Sequence, residues 1–136
     1  MVKRVGVVRA AVVLKGYKGS KECIALVDTG AALTVMDRWL ADVIGVDYTG
    51  RKRTLLSVSG HRIEGEIAIV REMQVEGEVL DYEKVVAVSL PETVKNSLKN
   101  LGLDDSIIIG LTTVELANYM PDTSTGKLRK IETFLF

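Results

Sequence analysis

The sequence predicts an all-β domain with a few short helices. Short runs rich in valine and isoleucine recur along the chain, and glycine-containing turns separate most of them, which is typical of strands joined by hairpins. Apolar residues at helical spacing occur only in short segments. With 136 residues, of which 47% are hydrophobic, the chain is long enough for one core. We therefore expect a single domain over residues 1–136.

The first third of the chain contains three predicted strands and one predicted helix. The strands are expected near residues 3–16, 23–28 and 32–36, and the second of them is an apolar run in which Cys23 should be a small buried side chain. Residues 37–45 have the spacing of an amphipathic helix, with Asp37 as its N-cap and Trp39 as a core anchor. The basic segment at 50–53, GRKR, is interpreted as a solvated turn rather than a binding site.

The rest of the chain alternates hairpins with short helices. Gly60 and Gly65 mark the turn region of one hairpin. Pro91 favours the start of a helix and Gly102 favours its end. The elements expected here are hairpins at 53–70 and 71–90, helices at 91–102 and 111–120, a buried strand that ends at Gly110, and a closing strand within 125–136.

The composition excludes several classes of function. The 18 basic and 18 acidic residues cancel, which leaves no electrostatic footprint for nucleic acid or an anionic membrane. No apolar window approaches the length of a membrane span. The single cysteine rules out an intramolecular disulfide and a cysteine-based zinc site, and we expect neither a metal nor another cofactor. The N-terminal segment lacks a signal-peptide pattern, so we expect a cytoplasmic protein.

The stretch CIALVDTGAALTVMD, residues 23–37, places one carboxylate at the end of an apolar run. Asp28 follows five apolar residues, and a second apolar run begins directly after Gly30. A carboxylate in such a place is costly unless it is paired or used. Gly30 lets another backbone approach closely, and Thr29 offers a hydroxyl that can bond across that approach. Taken without its surroundings, Asp28 would be interpreted as a turn aspartate that caps local amides.

Within this stretch, LVDTGAALTVM resembles the signature of the aspartic proteases, in particular the single-lobed, retroviral-type (retropepsin-like) group. A later segment, IIIG followed by LTTVELANY, is similar to the apolar-Gly motif and short helix of that family, here with Ile108, Ile109 and Gly110. The 53–70 hairpin occupies the place of the family's flap. The resemblance covers nearly the whole chain in element order. It implies a closed acid-protease barrel that forms a homodimer.

The resemblance also implies an aspartic endopeptidase, with Asp28 as the catalytic residue. Thr29 would bond across the dimer axis beneath the carboxylates, and Gly30 would contact substrate through its backbone. Ala31 stands where pepsin-like enzymes usually have serine or threonine, which removes a hydroxyl from the carboxylates. We therefore expect a less acidic pH optimum than that of pepsin. The candidates for the flap tip are Ser59, Gly60 and His61.

One aspartate cannot act as base and as acid at the same time. No second Asp-Thr-Gly or Asp-Ser-Gly occurs in the chain, so the expected solution is a C2 homodimer in which Asp28 meets its own copy. The substrate would be an extended peptide or an unstructured protein, bound by strand addition. Two alternatives are a non-catalytic, dimeric peptide-binding module and a protease fold that is inactive while monomeric. The segment IETFLF, 131–136, suits a subunit interface and would equally close the core of a monomer.

Overall fold

The computed structural model describes residues 7–57 and 60–132. These residues form nine strands and three short helices. The strands are β1 (Val8–Lys15), β2 (Ser20–Asp28), β3 (Thr34–Asp37), β4 (Asp47–Leu56), β5 (Arg62–Val75), β6 (Glu78–Val88), β7 (Ile107–Gly110), β8 (Tyr119–Asp122) and β9 (Lys127–Lys130). The helices are α1 (Arg38–Ile44), α2 (Glu92–Asn100) and α3 (Leu111–Leu116).

Six of the strands close into a barrel in the order β1-β2-β7-β3-β6-β5, and antiparallel pairing of β5 with β1 joins the two ends. Closure is possible because β5 is 14 residues long. The last part of β5 pairs with β1, while its first part pairs with β4. β4 therefore lies outside the ring, and its hairpin with the first part of β5 extends from it. The prediction of an all-β domain with short helices is confirmed.

Side chains alternate between the two faces of the sheet and build two apolar clusters. Val35 and Met36, which are consecutive in β3, belong to different clusters, as do Val86 and Ala87 in β6. This is the result of the two-residue period of a strand. The larger cluster fills the barrel. The smaller one lies on the outer face of the sheet and consists of Val35, Ile67, Val86, Val88 and Leu90, with Val94 of α2 packed against it.

The predicted helix ends agree with the structure where local chemistry determines them. Asp37 is the N-cap of α1, as predicted, and its side chain accepts a backbone N–H bond there. Gly102 follows the C-cap of α2 with φ +74°. The Leu103 N–H then donates to the Leu98 carbonyl at 3.0 Å, which ends the helix as a Schellman motif.

Trp39 is not the core anchor that the sequence predicted. Its side chain is 60% exposed, because α1 directs Leu40 and Ile44 into the barrel instead. The spacing of the apolar residues in this short helix is compatible with more than one face. Packing against the barrel selects between them.

The basic segment 50–53 is not a turn, since it lies within β4. Its Gly50 has φ +79°, and the register with β5 shifts between Tyr48 and Lys52. The segment is therefore a bulged part of the strand. The first hairpin is correspondingly longer than predicted, because β4 already begins at residue 47.

The second strand is less buried than predicted. Ile24 is 46% exposed and Cys23 is half-buried, whereas Ala25 and Val27 face the core. The uniform apolar run concealed an ordinary alternation between an inner and an outer face.

The predicted closing strand is represented by β9, which pairs with β8 in a separate two-stranded sheet beside β1. Residues 133–136 lie outside the described residues, so the interface hypothesis for IETFLF stays a prediction. In the part of the chain that the structure describes, no helix has both the length and the hydropathy needed to cross a membrane.

Candidate active site

Asp28 is the last residue of β2, and a tight loop follows it. In the sheet it lies beside Gly110, the last residue of β7, because β2 and β7 run parallel. Its side chain is exposed, and Oδ1 accepts a hydrogen bond from the Gly30 N–H at 2.9 Å. The Ala31 N–H donates to the Asp28 backbone carbonyl at 3.1 Å. The loop itself thus orients the carboxylate, which has no ion-pair partner among the described residues.

Two buried threonines connect β3, β7 and α3 next to this loop. Thr34 Oγ1 accepts a hydrogen bond from the Gly110 N–H at 3.0 Å and lies 2.8 Å from Thr113 Oγ1. Both side chains are almost completely buried. Gly110 has to be glycine, because a Cβ there would lie 2.4 Å from the carbonyl carbon of Leu33. The sequence prediction assigned neither threonine a role, although Thr34 lies within the quoted motif.

Backbone hydrogen bonds join the Asp28 loop to α3. The Leu111 N–H donates to the Ala31 carbonyl at 2.8 Å, and the Thr112 N–H donates to the Ala32 carbonyl at 3.1 Å. The first N–H groups of a helix have no intrahelical partner, so these bonds satisfy donors that would otherwise be left open. Loop and helix form one braced unit, which fixes the position of the carboxylate.

Asp28 lies on the same side of the sheet as the smaller apolar cluster. Leu26 points to that side because it is two residues before Asp28, and it is aligned with Ile108, which is aligned with Val35. Ile109, by contrast, is fully buried inside the barrel. We call this outer surface the apolar face. Its half-buried side chains are Leu26, Leu33, Leu55, Ile63 and Ile108.

The structure separates the predicted site residues into two groups. Asp28, Thr29, Gly30 and Ala31 form one loop beside the motif Ile108, Ile109 and Gly110. Gly60 and His61 belong to the other group, in the turn between β4 and β5, where Gly60 has φ +85° and His61 is exposed. Ser59 lies outside the described residues. No hydrogen bond joins this turn to the Asp28 loop within the described part of the chain.

A second aspartate, Asp37, ends β3 and is only 4% exposed. Its Oδ2 accepts a hydrogen bond from the Trp39 N–H at 3.1 Å, and its Oδ1 accepts one from the Leu90 N–H at 2.9 Å. Lys95 Nζ lies 3.6 Å from Oδ1. Asp37 therefore ties α1, the segment after β6, and α2 together. Its long-range partners could not be found from local sequence.

Asp104 and Cys23 lie outside the loop. Partial burial acts to raise the pKa of Asp104, but hydrogen bonds from Ser106 and the Lys21 ammonium group, 3.0 Å away, hold it below its usual range. Burial, followed by the negative charge of Asp104, raises the pKa of the Cys23 thiol to about 11. Such a thiol stays protonated near neutral pH, so Cys23 does not supply a nucleophile.

Metal binding has no candidate among residues 7–57 and 60–132, since no three His, Cys, Asp or Glu side chains there are grouped to hold an ion. The chemistry available at the loop is that of a carboxylate, a threonine hydroxyl and backbone N–H groups.

A closed barrel with an Asp-Thr-Gly loop braced against an apolar-Gly strand defines the class of single-lobed acid-protease folds. The family model described as "Aspartyl protease" matches residues 10–113. The chain belongs to this aspartyl protease family, as the sequence resemblance indicated. None of the curated protein sequences is significantly similar to the chain.

Several solved structures share the fold. The retroviral protease-like domain of Ddi1 from Leishmania major has a TM-score of 0.57 and 18% identity, over 93% of this chain and 90% of that one. A retropepsin-like aspartic protease from Rickettsia conorii has a TM-score of 0.54 and 16% identity, over 88% of both chains. EIAV protease in complex with the inhibitor HBY-793 has a TM-score of 0.52 and 14% identity, over 84% and 88%. The predicted retropepsin-like fold is confirmed.

Proposed function

We propose that the protein is an aspartic endopeptidase whose active site is completed by a second copy of the chain. The observation that carries the proposal is the state of Asp28: an exposed carboxylate in a braced loop, held by one backbone N–H. Burial and multiple donors would indicate a structural acid, as at Asp37. An oriented acid with free acceptor positions, next to an apolar face, suits chemistry on a bound substrate.

Two such carboxylates related by a twofold axis would share one proton, because both cannot be ionised at close range. The ionised carboxylate takes a proton from a water molecule as that water attacks the scissile carbonyl carbon. The protonated carboxyl keeps its proton and donates a hydrogen bond to the carbonyl oxygen, which gains negative charge as the tetrahedral intermediate forms. When the C–N bond breaks, a carboxyl returns a proton to the leaving nitrogen. The dyad then shares one proton again.

The rest of the loop supports these steps. The Gly30 N–H donates a hydrogen bond to Asp28 Oδ1, and this bond orients the carboxylate. Thr29 is exposed at the start of the loop, where its hydroxyl would bond with the partner copy. Ala31 adds no hydroxyl to the carboxylates, so the expected pH optimum stays less acidic than that of pepsin.

The proposed substrate is an extended peptide or unstructured protein. It would lie across the apolar face, with the β4–β5 hairpin as a flap above it. Backbone hydrogen bonds to the hairpin and to the Asp28 loop would hold the peptide, and alternate side chains would contact the sheet. Ser59, Gly60 and His61 would form the flap tip.

The test combines sedimentation with cleavage of reduced, alkylated casein over a wide pH range. Wild type is expected to sediment as a dimer under conditions in which it cleaves, and Asp28→Asn to form the dimer without cleavage. Asp81→Asn, the same change at an exposed position of β6, serves as the matched control and should cleave normally. A wild-type dimer that binds casein but never cleaves it would favour the binding module. Cleavage by Asp28→Asn, or by a monomer, would refute the proposal.

A further inference from the structure

The basic segment of β4 has a position in the fold that the barrel chemistry leaves unexplained. In the β4–β5 hairpin, Arg53 is aligned with Gly65 and Leu55 with Ile63. Arg53 and Leu55 are two residues apart in one strand, so they project from the same side of the hairpin. Leu55 and Ile63 pack against the cluster that underlies the apolar face. Arg53 therefore extends from the side of the hairpin that borders this face.

Arg53 is exposed and has no ion pair among the described residues. The residue opposite it cannot supply one, because Gly65 has no side chain. A Cβ at Gly65 would also lie 2.5 Å from a Val88 methyl group. Close packing thus requires glycine there and leaves the guanidinium without a cross-strand partner.

The acids nearest in sequence are on the other side of the hairpin. Glu64 and Glu66 alternate with Gly65, so they point away from Arg53. Glu64 pairs with Lys52 at 3.2 Å, and Glu66 lies 3.8 Å from Arg38. These two acids are therefore already engaged by other cations, and neither of them neutralises Arg53 on the side that borders the apolar face.

We infer that Arg53 selects peptides with an acidic side chain, Asp or Glu, at a fixed distance from the scissile bond. The inference rests on the proposed function, since it assigns a specificity-determining residue to the same cleft. A guanidinium beside an apolar surface binds a carboxylate by charge-assisted hydrogen bonds while the aliphatic part of the ligand packs on that surface. An extended peptide with an acidic side chain complements both the apolar face and its charged rim.

The strand order limits where the acid can be. Five strand spacings separate β2, which carries Asp28, from β4 in the order β2-β7-β3-β6-β5-β4. At about 4.8 Å each this is a contour of roughly 24 Å along the sheet, or about seven residues of extended peptide, and the curvature of the closed barrel makes the direct separation shorter. The acidic residue is therefore expected within about seven positions of the scissile bond. A twofold dimer presents Arg53 twice, so the preference should occur on both sides of that bond.

The test is a cleavage profile on a pool of proteome-derived peptides, with the new termini identified by mass spectrometry. Wild type is compared with Arg53→Gln, Arg53→Glu and Arg62→Gln. Arg62 is the matched control: it is exposed in the same hairpin, but its alignment with Leu56 places it on the opposite side. Synthetic peptides that differ only by Glu or Gln at the enriched position then give kcat/KM ratios.

Wild type and Arg62→Gln are expected to favour Glu over Gln by about 5- to 30-fold, the range of one charged contact. Arg53→Gln should reduce that ratio to near one, and Arg53→Glu should favour Lys or Arg at the same position. Cleavage without acidic enrichment, or enrichment that survives Arg53→Gln, overturns the inference but leaves the protease function intact.

A wild-type protein that cleaves nothing would instead refute the proposed function, and the inference would then be decided by binding. The same peptide pool is passed over immobilised wild type and Arg53→Gln at low salt. Retention of acidic peptides by wild type alone supports the acidic preference of the hairpin. Equal retention by both proteins overturns it.

Discussion

Asp28 and Asp37 lie nine residues apart, each at the end of a strand, and the structure gives them opposite environments. Asp37 is buried and is held by two backbone N–H groups and Lys95. Asp28 is exposed and receives one N–H from its own loop. An aspartate that satisfies buried donors stabilises the fold, and one left with open acceptor positions is available for chemistry. Four predictions test whether these two functions are separate.

The largest effect is expected from Asp28→Asn. Kcat/KM should fall by about 10³-fold or more, because the remaining amide cannot take a proton from water. The unfolding temperature should stay close to that of wild type, since the Asn carbonyl oxygen can still accept the Gly30 N–H. Thermal unfolding and peptide cleavage, measured on the same preparations, check both parts. A marked loss of stability would make Asp28 a structural acid after all.

Asp37→Ala should show the reverse pattern. It leaves two N–H groups without an acceptor and a half-buried lysine without its partner, so the free energy of unfolding should fall by about 2–4 kcal/mol. Activity per folded molecule should change little. Urea unfolding gives the stability, and active-site titration normalises the rates. Asp37→Asn is expected to lose less stability than Asp37→Ala, because its amide oxygen can still accept a hydrogen bond from one backbone N–H.

Thr34→Val should lower both stability and activity, because the Thr34 hydroxyl is part of the buried core and also supports the Asp28 loop. It removes the acceptor for the Gly110 N–H and the partner of Thr113, which should cost about 1–3 kcal/mol of stability. The Asp28 loop would also lose part of its support, so kcat should fall while KM changes little. Thr34→Ser keeps the hydroxyl and is the control. If Thr34→Ser loses as much stability and activity as Thr34→Val, packing of the threonine methyl group and not the hydroxyl is responsible.

The smallest effect concerns Asp104, a structural acid closer to the surface than Asp37. Its pKa is lower in the folded state than in the unfolded chain, so its ionised form stabilises the protein fully above the unfolded value. That contribution is lost as pH falls below about 4, through the folded-state value. Asp104→Asn should therefore be less stable than wild type near neutral pH, with the difference narrowing in acid. Urea midpoints measured between neutral and acidic pH would show it, and a constant difference would contradict it.

Local signals predicted much of the fold. The helix ends at Asp37 and Gly102 follow from capping chemistry, and the hairpin at 71–90 follows from its strand patterns. The environment of Trp39 could not be predicted this way, because it depends on which face of a short helix meets the barrel. The strand at 50–53 was concealed by its charges, since an exposed hairpin strand has no buried face to reveal it.

The candidate site likewise has features that local sequence predicted and contacts that it could not predict. The Asp-Thr-Gly loop and the apolar-Gly strand are contiguous in sequence, so their residues could be named in advance. The pairing of Thr34 with Thr113 joins residues 79 positions apart, and local patterns contain no trace of such a contact. The unpaired state of Arg53 likewise depends on strand register, which places Gly65 opposite it and turns the neighbouring acids away.

By itself, the sequence determined the strand-rich class, the loop that carries Asp28, and the presence of only one such loop, because these depend on residue types that are adjacent in the chain. The tertiary structure alone decided which of two similar aspartates is buried, which threonines brace the loop, and from which side of the hairpin Arg53 projects. Those outcomes depend on distant segments that meet when the barrel closes. Hydrogen bonds and charges can be satisfied only by what is near them in space.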